Sequence, residues 1–317
     1  MMSEGSRSRL LHHLLRGLLL AGFAMLILHL VRSGDLGLYI APRMAGYVKL
    51  SALGLYAAAV YQLYAALQLW LGRRGAGSAY DCGCGHDHAP SASLWKNALL
   101  YGLFVFPLAL GFLLPDTIMG STLAAKKGVS FAGAHNVERA AQPAATPQPT
   151  AAPEVPEQDI AAPQDPLDAK FPADVYTETY AAHAKKLYLQ EQAIAVPEQQ
   201  FIETLTTLDL YRQHFVGKTV VVSGFVYREP AMPKDWLAVS RFAMNCCSAD
   251  SLPYGIMLRA DEAGSYDADS WIEVSGRLGL DEYGGNEIMI LEATRIAPIA
   301  APESPYVYPD YEFGFEP

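Results

Sequence analysis

Acidic side chains are missing from three long apolar runs near the start of the chain, Leu10–Val31, Tyr47–Leu71 and Asn97–Leu114. The basic groups of these runs, His12, His13, Arg16, His29 and Lys49, all fall within the first or last seven residues of a run. Three runs without a charged pathway do not conduct ions by themselves, so a self-contained channel is excluded. Familiar catalytic signatures are also absent. There is no Gly-rich phosphate loop, no G-x-S-x-G elbow and no H-E-x-x-H helix. Pairing Cys246 or Cys247 with His183 or His214 gives no diagnostic spacing, and the expectation is that the chain is not an enzyme. Basic residues are scarce in the second half: residues 140–317 hold 11 Lys and Arg against 27 Asp and Glu. A region at −16 is repelled by phosphate backbones, which excludes nucleic acid as a partner.

What remains is a chain of two characters. Residues 1–139 carry 12 Lys and Arg against 6 Asp and Glu, so the basic part is also the apolar part. Each of the three runs approaches or exceeds the roughly 20 apolar residues that span a hydrocarbon core. They predict three transmembrane helices, over about 10–31, 47–71 and 97–114, the last containing Pro107. The first run is too long for a cleaved signal and no small-residue cleavage site closes it. Lys and Arg near the helix ends tie in number between the two sides. The amino flank of the first helix (Arg7, Arg9, Arg16) outweighs its carboxyl flank (Arg32) and favours a cytoplasmic amino terminus. Three crossings then place the acidic domain outside the cytoplasm, in a multi-pass protein of the cell membrane. On the second helix Gly54, Ala58 and Ala65 offer a small-residue face for close helix approach, either within the three helices or to a partner.

Ala140–Pro166 is rich in Ala, Pro and Gln and lacks apolar periodicity. It reads as a semi-rigid linker, reaching about 3.1 Å per residue when extended. The domain expected at 167–317 opens with helical spacing over Tyr180–Gln192 and Glu198–Phe215. Five strand-like runs follow: Thr219–Tyr227, Trp236–Phe242, Tyr254–Arg259, Trp271–Leu278 and Glu287–Ile296. Five short strands after a helical lead-in predict an α+β domain built on a small, mostly β, OB-like barrel.

The four cysteines fall in two tight pairs. The first lies in Tyr80-Asp81-Cys82-Gly83-Cys84-Gly85-His86-Asp87-His88, where Cys82, Cys84, His86 and His88 supply four zinc-type donors. The C-x-C and H-x-H spacing is tighter than in regular zinc fingers, so an incidental His/Cys-rich turn is the alternative. The second pair is Cys246-Cys247, in Met244-Asn245-Cys246-Cys247-Ser248-Ala249-Asp250. Adjacent cysteines close only a strained, easily reduced bridge. As thiolates they form a soft chelating pair that Asp250 or Met244 completes for a thiophilic metal ion. The competing reading takes them as small buried hydrophobes.

Taken together, Gly217-Lys218 leading into Val222-Ser223-Gly224-Phe225-Val226-Tyr227, Arg241-Phe242 through Cys246-Cys247-Ser248-Ala249-Asp250, Pro253-Tyr254-Gly255, Trp271-Ile272-Glu273-Val274-Ser275-Gly276 and Pro305-Tyr306-Val307-Tyr308-Pro309 resemble the YcgQ-like permease subunits of bacteria. The resemblance implies a larger multi-span permease partner in the bilayer, similar to those associated with metalloid export. It implies no catalytic residues. The functional expectation is an accessory permease subunit whose domain binds or gates a small ligand such as a soft metal ion. The alternative is a membrane-tethered thiol redox or metal-sensing protein without a transport role.

Overall fold

The computed structural model describes residues 4–72, 93–114 and 166–315. The chain separates into two compact units, Met1–Thr117 and Ile118–Pro317.

The first unit consists of α1 (Glu4–Ser33), a single turn α2 (Leu36–Tyr39), α3 (Pro42–Trp70) and α4 (Leu94–Leu113). Among the described residues three segments are long and apolar enough to cross a membrane: Arg7–Ser33, Pro42–Trp70 and Trp95–Leu113. Both α1 and α3 outrun their apolar stretches at the amino end. Helix α1 continues through the polar Arg and Ser flank until Gly34, where φ reaches +91°. Helix α3 starts at Pro42 and not at Tyr47, because proline's fixed φ suits a first helical turn that needs no N–H. Pro107 sits inside α4, as expected.

Packing within this unit runs through α1. Helix α1 meets α3 where Gly17 lies against Leu63 and Gln62, and meets α4 where Gly22 faces Leu108 and Gly111 faces Leu26. The small residues that permit close approach are therefore on α1 and α4. On α3, Gly54 has nothing within 4 Å of its would-be side chain and Ala58 is exposed, whereas Ala59, Ala65 and Ala66 are buried. The expected small face on α3 is thus only partly used, since Ala59, Gln62, Leu63 and Ala66 form the contacting stripe at i, i+3, i+4 and i+7. Two polar bonds pin the bundle: His12 Nδ1 lies 2.7 Å from Tyr101 Oη on α4, and His13 Nδ1 lies 2.7 Å from Gln62 Oε1 on α3. His29 instead stands against the Phe112 ring.

The second unit begins with α5 (Pro166–Lys170), so the helical lead-in starts at the last residue assigned to the linker. Asp168 on α5 pairs with Lys185 on α6 (Glu178–Tyr188). The single helix expected over Glu198–Phe215 is two, α7 (Phe201–Leu210) and α8 (Arg212–Phe215). The break is at Tyr211, whose φ of −117° leaves the helical region and whose hydroxyl donates to the Pro172 carbonyl at 2.8 Å.

All five expected strands form, within a mixed sheet of seven. They are β2 (Thr219–Tyr227), β3 (Trp236–Ala243), β4 (Leu252–Arg259), β5 (Trp271–Tyr283) and β6 (Asn286–Pro298). Two-residue strands β1 (Ile194–Ala195) and β7 (Tyr306–Val307) lie parallel to β2 and β3. From β2 the antiparallel pairing passes to β5 and then β6, β6 runs parallel to β4, and β4 is antiparallel to β3. Strand β3 pairs again with β2, at Phe225–Tyr227 against Ala238–Ser240. Gly284 and Gly285, both at positive φ, close the β5–β6 hairpin between Tyr283 and Asn286, the conformation that a two-residue turn of this kind demands.

The core of the unit is apolar and continuous. Leu205, Leu208 and Phe215 from the helices join Val222, Val239, Ile256, Val274 and Leu291 from the strands. Around Ser240 the backbones come unusually close: a side chain on Gly255 would sit 2.2 Å from the Val239 oxygen, and one on Gly224 2.5 Å from the Ser240 oxygen. Both obstacles are backbone atoms, which cannot swing aside. Residues 166–317 expressed alone should melt cooperatively, because this core draws only on that unit; a broad, non-cooperative melt would contradict it. In that background Gly255→Ala should cost about 3 kcal/mol by chemical denaturation, as an overpacking substitution. Gly264→Ala, with open space around it, should be near neutral.

Candidate functional site

Strand β3 ends at Ala243 and β4 begins at Leu252, so eight residues connect two adjacent antiparallel strands. Met244 at the start of this connection is fully buried, and its N–H donates to the Val307 carbonyl at 2.9 Å. That takes Met244 out of the ligand set considered from sequence. The chain then turns outward, and Cys246 and Cys247 are half-buried.

Asp250 organises the turn. One carboxylate oxygen accepts the Asn245 N–H at 3.1 Å and the other accepts the Cys246 N–H at 2.7 Å. The Asp250 N–H in turn donates to the Cys247 carbonyl at 3.0 Å, and the Ser251 hydroxyl donates to the Ser248 carbonyl at 2.8 Å. The carboxylate thus reaches back to amides four and five residues earlier and closes the turn from its carboxyl end. The Tyr311 hydroxyl closes the loop from outside by donating to Asn245.

These bonds bring the predicted thiols and carboxylate together. The two sulfurs are 3.6 Å apart, and one donor atom each from Cys246, Cys247 and Asp250 lies within 4.8 Å of the others. Among the described residues no other group of three His, Cys, Asp or Glu side chains is so disposed. The Cys246 thiol is pushed up to about 11, first by its hydrogen bond to Asp250 and then by the neighbouring sulfur. Burial opposes the charge on Asp250, yet donation from the Cys246 thiol and from the N–H groups of Cys246, Asn245 and Cys247 holds its pKa below the usual carboxylate value. Nearby negative charge disfavours the free thiolate. The same negative charge attracts a cation. Cys82, Cys84, His86 and His88 lie outside the described residues.

A second polar cluster lies beneath the carboxyl-terminal segment. Glu203 on α7 is buried, and one of its oxygens accepts the Asp310 N–H at 2.8 Å while the other has no hydrogen-bond partner. Gln200 donates to the Asp310 carboxylate at 3.1 Å, and Phe313 packs on the rings of Tyr180 and His183. Nearby, the hydroxyls of Thr206 and Tyr254 meet at 2.9 Å. Arg241, also buried, pairs with Glu198 at 3.1 Å, donates to the Ser304 carbonyl at 3.0 Å and stands over the Trp271 ring. The segment from Ser304 to Phe313 is thereby fastened both to the helices and to the thiol loop.

Residues 15–130 match the DUF1980 N-terminal domain, and residues 171–309 match the DUF1980 C-terminal domain. The chain belongs to the DUF1980 family. Two similar proteins are the "UPF0703 protein YcgQ" of Bacillus subtilis and the "Putative two-component membrane permease complex subunit" of Streptococcus mutans. The first is 27% identical over 68% of this chain and 70% of its own length. The second is 24% identical over 93% of this chain and 99% of its own length. A small single-stranded DNA-binding protein from Streptomyces coelicolor is 17% identical, covering 26% of this chain and 94% of that protein. Its TM-score of 0.18 is too low to bear on fold or ligand.

Within the DUF1980 C-terminal domain the thiol pair was visible in the sequence, whereas Glu203 and Asp310 were not, being 107 residues apart and brought together only by the fold. The one available signal was an acid on the apolar side of a helix, in Phe201-Ile202-Glu203-Thr204-Leu205. Burial raises the Glu203 pKa above its ordinary 4.5, with the Asp310 charge adding to the rise. A carboxyl that holds its proton more tightly when folded stabilises the fold fully below its unfolded pKa. That contribution is lost as pH rises through the folded value. Glu203→Gln keeps an acceptor for the Asp310 N–H and removes the ionisation. Its melting temperature should equal that of the wild type below pH 4.5 and exceed it at neutral and alkaline pH. A constant offset at every pH would refute this account.

Proposed function

We propose that this chain is an accessory, non-enzymatic subunit of a membrane permease complex. Its three helices bind a larger multi-span partner, and its second unit presents a soft-metal-binding loop. The observation that carries the reading is the near full-length similarity to the Streptococcus mutans protein whose name describes such a complex. Three apolar helices with no acidic side chain within their spans support it from this chain's own residues. They need a partner to move a solute, since they hold no charged path of their own. Exposed Gly54 and Ala58 on α3 leave a surface on which another helix can lie closely.

In this reading β2, β5, β6, β4 and β3 make a small five-stranded barrel of the OB type, because the pairing that leaves β2 through β5 returns to it through β3. The barrel is a platform for the Cys246–Asp250 loop, not a nucleic-acid binder, as the acidic balance of residues 140–317 repels phosphate. It sits outside the cytoplasm on the charge bias around α1. Two sulfurs and a carboxylate at one loop tip are a donor set for a thiophilic ion.

Purified from membranes through a tag on either unit, the chain should bring down a multi-span protein in fixed ratio. Recovery of the chain alone, in mild detergent, would overturn the subunit assignment. Cys246→Ser combined with Cys247→Ser should abolish the metal-dependent phenotype of the complex while moving the melting temperature of the second unit little, since both thiols are free and only half-buried. A cysteine placed at residue 155 should react with an impermeant maleimide in intact cells. Labelling only after lysis would reverse the topology.

A further inference from the structure

Resting on the reading of the Cys246–Asp250 loop as a soft-metal site, we propose that it takes a divalent cation of the zinc class as exchangeable cargo. Among the described residues the ion is held by three protein donors, Cys246 Sγ, Cys247 Sγ and an Asp250 oxygen, and its fourth position stays open to a further donor.

The bite of the two thiols selects the ion. Two sulfurs on a tetrahedral centre with bonds of about 2.3 Å lie about 3.8 Å apart. The observed separation is 3.6 Å, set before any ion arrives. A linear two-sulfur ion such as Cu(I) would hold them apart by about twice its bond length, over 4 Å, wider than the separation observed. Hard cations prefer oxygen throughout and would gain nothing from the thiols. A mixed set of two sulfurs and one carboxylate oxygen suits a borderline-soft divalent ion.

The donor count separates cargo from structure. Structural zinc sites are closed by four protein ligands, and three with an open position mark sites where the ion meets something else. Among the described residues no further His, Cys, Asp or Glu joins the cluster, and buried Met244 is turned into the core. The loop also needs no ion to fold. Asp250 binds the N–H groups of Asn245 and Cys246, Ser251 binds Ser248, and Tyr311 binds Asn245. Each carboxylate oxygen has a second lone pair, so Asp250 can keep its amides while one oxygen turns to the ion. Binding replaces the thiol protons, M²⁺ plus two S–H giving a dithiolate complex and two H⁺. With the scaffold already ordered, the ion enters and leaves without refolding it.

The test uses the full chain in detergent under reducing conditions, carrying Cys82→Ser and Cys84→Ser so that only the two loop thiols remain. Titrated with Co(II), it should give one equivalent of a four-coordinate species with thiolate-to-cobalt charge-transfer absorption, displaced stoichiometrically by Zn(II). Adding free imidazole should shift the cobalt ligand-field bands without stripping the ion, as the open position fills. Asp250→Asn should weaken binding by about 10-fold or more. If no thiolate–cobalt band forms and neither Cu(I) nor arsenite binds, the soft-metal reading itself fails. If cobalt binds but imidazole leaves the bands unmoved, or Asp250→Asn binds equally well, the three-donor open site is wrong while the soft-metal reading stands. Binding of Cu(I) or arsenite to the exclusion of Co(II) and Zn(II) would overturn the ion class alone.

Discussion

Where β2, β3 and β4 cross near Ser240, three backbones approach within a distance that no side chain tolerates. Gly224 and Gly255 make that approach possible from either side of β3. The pairing of β3 with both neighbours follows, and with it the direction in which the chain leaves β3 at Ala243. The turn that holds Cys246, Cys247 and Asp250 is short, so its placement is inherited from this clamp and not from its own composition. Arg241 and Phe242 lock the exit further, the first through Glu198 and Trp271 and the second by stacking on Phe225 at 4.8 Å.

The two units solve the problem of buried polarity in opposite ways. Hydrocarbon offers no water to satisfy a stray donor, and the membrane helices carry few polar groups, of which His12 and His13 are paired with Tyr101 and Gln62. The second unit has solvent at hand, yet it buries Glu203, Thr204, Thr206, Thr207 and Asp209 along a single short helix. Thr207 satisfies itself on the Glu203 carbonyl at 2.7 Å, Thr206 meets Tyr254, and Asp209 meets Arg212 at 3.0 Å. That concentration of polar groups in one place is a source of specificity more than of stability, since each such group gives back in desolvation much of what its bond contributes.

Periodicity and punctuation made the main strands readable. Val, Phe and Tyr crowd β2, and Gly284-Gly285 marks the tip of the longest hairpin. What escaped was of three physical kinds. Strands β1 and β7 are two residues long and have no period to detect. The break at Tyr211 is imposed by a tertiary bond to Pro172, which local helical spacing cannot anticipate. Helix ends moved because propensity and proline position, not hydropathy, decide where a helix begins. At the site, adjacency announced Cys246 and Cys247, and proximity in sequence sufficed for Asp250. The Glu203–Asp310 bond and the grip of Tyr311 on Asn245 join residues far apart in the chain, and nothing local encodes them.

Consecutive residues on a helix point about 100° apart, and His12 and His13 use that angle to grasp two different neighbours, Tyr101 on α4 and Gln62 on α3. Helix α1 is therefore keyed like a shaft. It cannot roll about its own axis without breaking both bonds, and any twist applied to it is handed on to both other spans at once.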